Sequence, residues 1–212
     1  MLDALGTLVY LEPPGPRLRG LLAEQGVAVS EEQAQEAIGA EIGYYLAHHM
    51  EAGTPEGLEA LRDRCAAVIS DVLGRRVERE TMLAALRFKP FDDVVPALIE
   101  LRARDLKLVV VSNWDLSLPE WLAEAGLLEL VDATASSAVA GAAKPDPAVF
   151  HDALAHAGVE PGEALHVGDS YGSDVVGARS AGIEAVLIDR YGEGETHDVR
   201  TIASLGEVAS LV

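Results

Sequence analysis

Asp3, Asp169 and Asp174 are the residues of this chain best suited to chemistry. Asp3 opens Asp3-Ala4-Leu5-Gly6-Thr7, where the glycine permits a tight turn whose backbone N–H groups can face an anion. Asp169 and Asp174 lie in Gly168-Asp169-Ser170-Tyr171-Gly172-Ser173-Asp174, which follows the apolar run Ala164 to Val167. A carboxylate just after such a run sits at the C-terminal edge of a parallel sheet, where open α/β folds hold their ligands. Acidic groups gathered there repel one another unless a divalent cation neutralises them, and hard oxygen ligands suit Mg²⁺. The expectation is a nucleophilic carboxylate, Asp3, beside a Mg²⁺ site.

Lysine is scarce in this chain: Lys89, Lys107 and Lys144 are all it has. Lys144, in Lys144-Pro145-Asp146-Pro147, can offset negative charge, although a lone lysine before a helix is commonly solvated. Ser112 and Asn113 end an apolar run and offer donors to phosphoryl oxygens, or simply make a turn. Asp146 reads as a helix N-cap. Asp115 either organises the following loop or reaches the substrate.

The elements that must position these groups fall into two kinds. From Pro13 to Lys89 the apolar spacing is helical throughout, and three or four antiparallel helices without strands are expected. Ser30 with Gln33 has the form of a capping box, and Pro55 suits a first helical turn. From Phe91 onward helix and strand alternate. A helix over about 92–104 precedes the buried strand Leu106 to Val111, and Ser117-Leu118-Pro119-Glu120 resembles a second capping box. A weaker strand is expected near 132–136, then strand 164–167, helix 173–181 and strand 185–188. The fold class expected is α/β, a doubly wound parallel-sheet, Rossmann-like core (1–12 and 90–212) with an inserted helical-bundle cap (13–89). Met1 and Leu2 alone precede Asp3, where an apolar strand of about five residues is expected.

Composition excludes several functions. The 212 residues carry 35 acidic against 16 basic side chains, a net charge of −19, which repels nucleic-acid phosphates and anionic membranes. No apolar run is long enough to span a bilayer, and no secretory leader is evident. Cys65 is the single cysteine, so no internal disulfide is possible, and a cytoplasmic location is expected. A monomer or homodimer fits, with neither nucleic acid nor membrane as partner.

Taken in order, these motifs resemble those of the haloacid dehalogenase superfamily. Asp3 to Leu8 is similar to its nucleophile motif, Ser112-Asn113 to its second motif, Lys144-Pro145 to its lysine motif, and Gly168-Asp169-Ser170 with Asp174 to its acidic motif. The helical insertion matches the α-helical cap of subfamily I. The resemblance implies Mg²⁺ held by Asp3, the Leu5 backbone carbonyl and Asp169, with Asp174 orienting a ligand or water behind them. It also implies substrate contacts from Thr7, Ser112, Asn113 and Lys144, with Asp3, Ser112 and Lys144 as the catalytic group.

One position departs from the pattern. Phosphatases of the superfamily carry a second Asp two residues after the nucleophile, as acid for the leaving group; here that residue is Leu5, which cannot donate a proton. Three functions follow. The first is a Mg²⁺-dependent phosphatase of a small phosphorylated metabolite, working through an aspartyl-phosphate on Asp3. The second is a metal-independent 2-haloacid dehalogenase, whose halide needs no proton. The third is a binding protein that keeps the fold without turnover. The absence of lysine between Pro13 and Phe88 excludes a Schiff-base phosphonate hydrolase. Tyr44, Tyr45, His48 and His49 cluster on one cap helix, where packing is the favoured role.

Overall fold

The computed structural model describes residues 1–192, 194, 195 and 197–212. Strand β1 (Val9–Leu11) leads into α1 (Pro14–Glu24), α2 (Glu31–His48), α3 (Pro55–Leu73) and α4 (Arg79–Ala85), and β2 (Phe88–Pro90) returns beside β1. The alternating part then runs α5 (Val94–Arg102), β3 (Val109–Ser112), α6 (Leu118–Glu124), β4 (Ala133–Ser136), α7 (Ser137–Ala140) and α8 (Pro147–Ala157). It ends with β5 (Leu165–Gly168), α9 (Val176–Ser180), β6 (Glu184–Ile188) and β7 (Arg200–Ile202).

The parallel strands line up as β4-β3, then Leu2, then β5-β6-β7. Leu2 makes a parallel bridge to Val110 on one side and to Val167 on the other. The segment Met1 to Asp3 occupies the central position between the two halves of the sheet. Backbone bonds suffice to seat it: Leu2 N–H donates to Val109 O at 2.9 Å, Val111 N–H to Leu2 O at 2.8 Å, and Asp3 N–H to Val167 O at 2.9 Å. Those bonds aim Asp3 off the C-terminal edge of the sheet.

Alternation along β3 divides the core into layers. Val110 packs with Leu98, Leu118 and Leu122 on one face, while Val109 and Val111 pack with Phe150 and Ala178 on the other. Helices α1–α4 enclose a separate apolar cluster built on Leu18, Leu22, Ile38, Leu61, Ile69 and Met82. Ser30 and Gln33 form the expected reciprocal cap, and Thr54 caps α3 with Pro55 in its first turn. Gly74 ends α3 at φ 63°, a left-handed backbone that glycine adopts without strain.

Some expectations are corrected. Phe88 and Lys89, assigned to a strandless helical segment, belong to β2, which pairs antiparallel with β1 in a ribbon apart from the central sheet. Their side of the ribbon is tied by the Glu12–Lys89 ion pair. Ser117 starts α6 without a side-chain cap, because its N–H and its hydroxyl are both spent on Asp115 Oδ1, at 2.7 and 2.5 Å. The helix expected from Ser173 begins as a π-turn over Tyr171–Val175 before becoming α9. Among the described residues no helix is long and apolar enough to cross a membrane.

Candidate active site

The motif residues converge at the end of the sheet that Asp3 leaves. Lys144 Nζ lies between two carboxylates, donating to Asp3 Oδ1 at 2.6 Å and to Asp174 Oδ1 at 2.6 Å, with a third bond to Val111 O at 3.0 Å. Ser112 Oγ donates to Asp3 Oδ1 at 3.1 Å. Asp3 Oδ1 thus carries both side-chain hydrogen bonds, which fixes the rotation of the carboxylate. Asp3, Lys144, Ser112 and Asp174 are all buried, whereas Asp169 is exposed at the rim.

Two glycines make this closeness possible. A Cβ on Gly6, whose φ is +88°, would lie 2.1 Å from Asp169 Oδ2, and one on Gly168 would lie 2.1 Å from Asp174 Cγ. No side chain fits at either place. Glycine here lets the turn after Asp3 and the end of β5 approach the acids directly.

Asp3, Asp169 and Asp174 each offer a carboxylate oxygen within 4.8 Å of the others. Among the described residues Lys144, paired with Asp3 and Asp174, is the one permanently charged cation bound to the trio, so an ionised trio keeps two uncompensated negative charges, the charge of one divalent cation. A set of carboxylate oxygens is what Mg²⁺ accepts. The residues therefore fit the ion that the motifs imply. Leu5 is 46 % exposed at the same place, and its side chain offers no proton.

Burial and mutual repulsion resist ionisation of two of the three acids. Burial pushes the Asp3 carboxyl up to about 7, against the pull of Lys144. Burial also opposes ionisation of Asp174, but its hydrogen bond from His166 and the Lys144 charge outweigh this and hold it well below the usual carboxylate range. Lys144 would be lowered by burial alone, and the two carboxylates raise it instead. Partial desolvation and the neighbouring Asp174 charge raise Asp169.

The remaining predicted residues do different work. Asn113 places its side chain on the lysine backbone: Lys144 N–H donates to Asn113 Oδ1 at 2.7 Å and Asn113 Nδ2 donates to Lys144 O at 3.1 Å. Thr7 is fully buried, and its carbonyl accepts from Arg190 Nη2 at 2.6 Å. Asp146 caps α8 by accepting from Ala148 N–H. Asp115 holds Ser117 and is buried under the helical bundle. His48 stacks on Tyr44 with ring centroids 4.0 Å apart, and its Nδ1 meets Tyr44 O, so packing accounts for it.

Sequence reasoning missed two residues. His166 is fully buried on β5 with Nε2 2.9 Å from Asp174 Oδ1. Because an ionised Asp174 can only accept, Nε2 carries the ring proton. Burial lowers the imidazole to about 4, so the ring stays neutral. Its signal was a polar residue inside a buried apolar strand. Arg190 spans the other flank: Nη1 reaches both carboxylate oxygens of Asp93 at 2.9 and 3.1 Å, and the guanidinium lies 3.9 Å over the Phe91 ring. Nothing local marks it, since its partners are remote in sequence.

A family model for haloacid dehalogenase-like hydrolases matches residues 1–182. The chain belongs to that family. The haloacid dehalogenase-like hydrolase domain-containing protein 3 of Bos taurus is 48 % identical over 87 residues, covering 41 % of this chain and 35 % of that protein. Phosphatase MT3486 of Mycobacterium tuberculosis is 40 % identical over 120 residues, covering 56 % of this chain and 55 % of that one. The chain thus matches about half or less of the length of these curated relatives. A HAD phosphatase from Thermococcus onnurineus superposes with a TM-score of 0.70 at 26 % identity, covering 99 % of this chain and 95 % of that one. Solved structures of 2-haloacid dehalogenases also share the fold.

Proposed function

We propose that this chain is a Mg²⁺-dependent phosphatase of a small phosphorylated metabolite, with Asp3 as nucleophile. The observation that carries the reading is the excess of negative charge: Asp3, Asp169 and Asp174 converge on one point, and Lys144 pairs with Asp3 and Asp174. Similarity to a mycobacterial protein named as a phosphatase supports it.

Asp3 attacks phosphorus, the bond from phosphorus to the leaving oxygen breaks with its electron pair on that oxygen, and water later cleaves the aspartyl-phosphate. Lys144 and Ser112 hold the carboxylate for that attack. Bound Mg²⁺ would supply electrostatic stabilisation of the phosphoryl oxygens, held by Asp3 and Asp169 with Asp174 behind. Leu5 leaves the departing oxygen without a carboxylic acid at the usual position.

That same Leu5 favours the second reading, a 2-haloacid dehalogenase, because halide leaves unprotonated. The acidic trio weighs against it, since a carboxylate substrate would meet concentrated negative charge. A panel of phosphate esters and 2-haloacids, assayed with and without Mg²⁺, separates the readings. Mg²⁺-dependent phosphate release is expected. Halide release indifferent to Mg²⁺ would establish the dehalogenase, and binding without any turnover would establish a non-catalytic protein.

A further inference from the structure

A cavity of about 150 Å³ lies between the helical bundle and the sheet edge, bounded by Leu5 and Asn113 on the active-site side. Its walls are mostly apolar, with Ile42, Leu86, Phe88 and Trp121 among them. An apolar cavity of about this volume accepts a benzene-sized group. Leu5, half exposed beside the nucleophile, forms part of its floor.

Polar groups enter this space at few points. Arg62 is the one cation in the wall, and its guanidinium is committed to Glu120 at 2.7 Å. No uncommitted positive charge in the wall remains to receive a second anionic group. Glu41, one turn before Tyr45 on α2, is 3 % exposed and faces the cavity. It has no ion-pair partner among the described residues, and its side chain hydrogen-bonds with that of Cys65. Burial raises this carboxyl against the opposing pull of Cys65, and in its acid form it donates a hydrogen bond. The Tyr45 hydroxyl is also buried in the same wall, beside Asp115.

We infer that this cavity receives the leaving group, and that it selects a compact, uncharged, ring-sized apolar group bearing one oxygen, which Glu41 and Tyr45 meet. This rests on the phosphatase reading and narrows its substrate class. Apolar walls reward burial of the ring, and an oxygen on it can meet the Glu41 carboxyl and the Tyr45 hydroxyl, whose own neighbours are Cys65 and Asp115. A polyhydroxylated sugar phosphate or a bisphosphate would leave hydroxyls or charge facing hydrocarbon.

Calorimetric titration of the whole protein in Mg²⁺ buffer tests this without requiring turnover. The ligands are inorganic phosphate, benzylphosphonate, its three ring-hydroxylated isomers, ribose 5-phosphate and 4-methylphenol. Benzylphosphonate should bind at least about tenfold tighter than phosphate, and the best hydroxylated isomer about three- to tenfold tighter again. Ribose 5-phosphate should show no gain over phosphate. In Glu41→Leu the ratio between the hydroxylated and plain compounds should fall to about one, and Glu41→Gln, which keeps an N–H donor, should restore it. No gain of benzylphosphonate over phosphate, or tighter binding of ribose 5-phosphate, overturns the inference. So does an unchanged ratio in Glu41→Leu. If 4-methylphenol binds while phosphate does not, the pocket stands and the phosphatase reading falls; if nothing binds, both fall.

Discussion

Asn113 and Lys144 grip each other by a reciprocal pair of hydrogen bonds, side-chain amide against backbone, at 2.7 and 3.1 Å. The lysine is thereby positioned from its backbone outward. Its ammonium then needs only its own side chain to reach Asp3 and Asp174. Asn113→Ala should reduce kcat by roughly 10- to 100-fold with little change in KM, because a misplaced reacting geometry costs on that order. Steady-state kinetics on an aryl phosphate check this, and an unchanged kcat would show that Lys144 is held without Asn113.

The charge imbalance predicts a stabilising response to metal. Mg²⁺ at about 100 times its Kd should add about 2.7 kcal/mol to folding stability by mass action. Asp169→Asn should abolish the shift in melting temperature while the fold persists. Gly6→Ala should do the same by a different route, because its Cβ would occupy the place of the Asp169 carboxylate. A full Mg²⁺ shift in Asp169→Asn would remove that residue from the site.

His166 predicts an acid-sensitive stability. In the unfolded chain an imidazole takes a proton near pH 6.5, whereas in the fold it does so only at about 4. As pH falls through that window the unfolded chain binds more protons, so the folded state loses stability, by up to about 3 kcal/mol at the lower end. Above pH 6.5 this contribution is constant. His166→Gln keeps a donor for Asp174 and should show a smaller fall in melting temperature between pH 7 and pH 5. Equal falls in the two proteins would show that His166 does not set the slope.

Leu5 predicts a dependence on leaving group. General acid assistance contributes roughly 10²–10⁴ in rate, and its absence weighs most on alkyl phosphates. Leu5→Asp should therefore raise alkyl-phosphate turnover at least about tenfold more than aryl-phosphate turnover. Rates for both esters in both proteins decide it. Equal gains, or fast alkyl-phosphate hydrolysis by the unaltered protein, would assign the proton to another donor.

The site's acids and lysine were legible because each sits beside a marker with a physical meaning: glycine after Asp3, a buried run before Asp169, prolines after Lys144. The layered α/β core was legible for the same reason, through apolar runs such as Leu108 to Val111. What stayed hidden depends on distance or brevity. Arg190 gains its role by contacts with Asp93, Phe91 and Thr7, all 97 or more positions away. The β1–β2 ribbon consists of strands of three residues each, too short for any periodicity, and Pro90 reads as a linker. Ser117 has the residues of a capping box, but Asp115, two positions earlier, competes for its hydroxyl and wins.

The seat of Leu2 between Val110 and Val167 also governs the order in which the molecule can assemble. Its partners follow it by more than a hundred residues along the chain, so no local structure can hold the segment in place early. The β4-β3 pair and the β5-β6-β7 trio can each form from neighbours in sequence. Until Leu2 slides between them, each half presents a bare parallel edge. Closing that gap requires contacts of very long sequence separation, which are the slow ones to form. Refolding should therefore end with a late phase in which the two half-sheets clasp the Leu2 segment, and with it the nucleophile reaches its lysine.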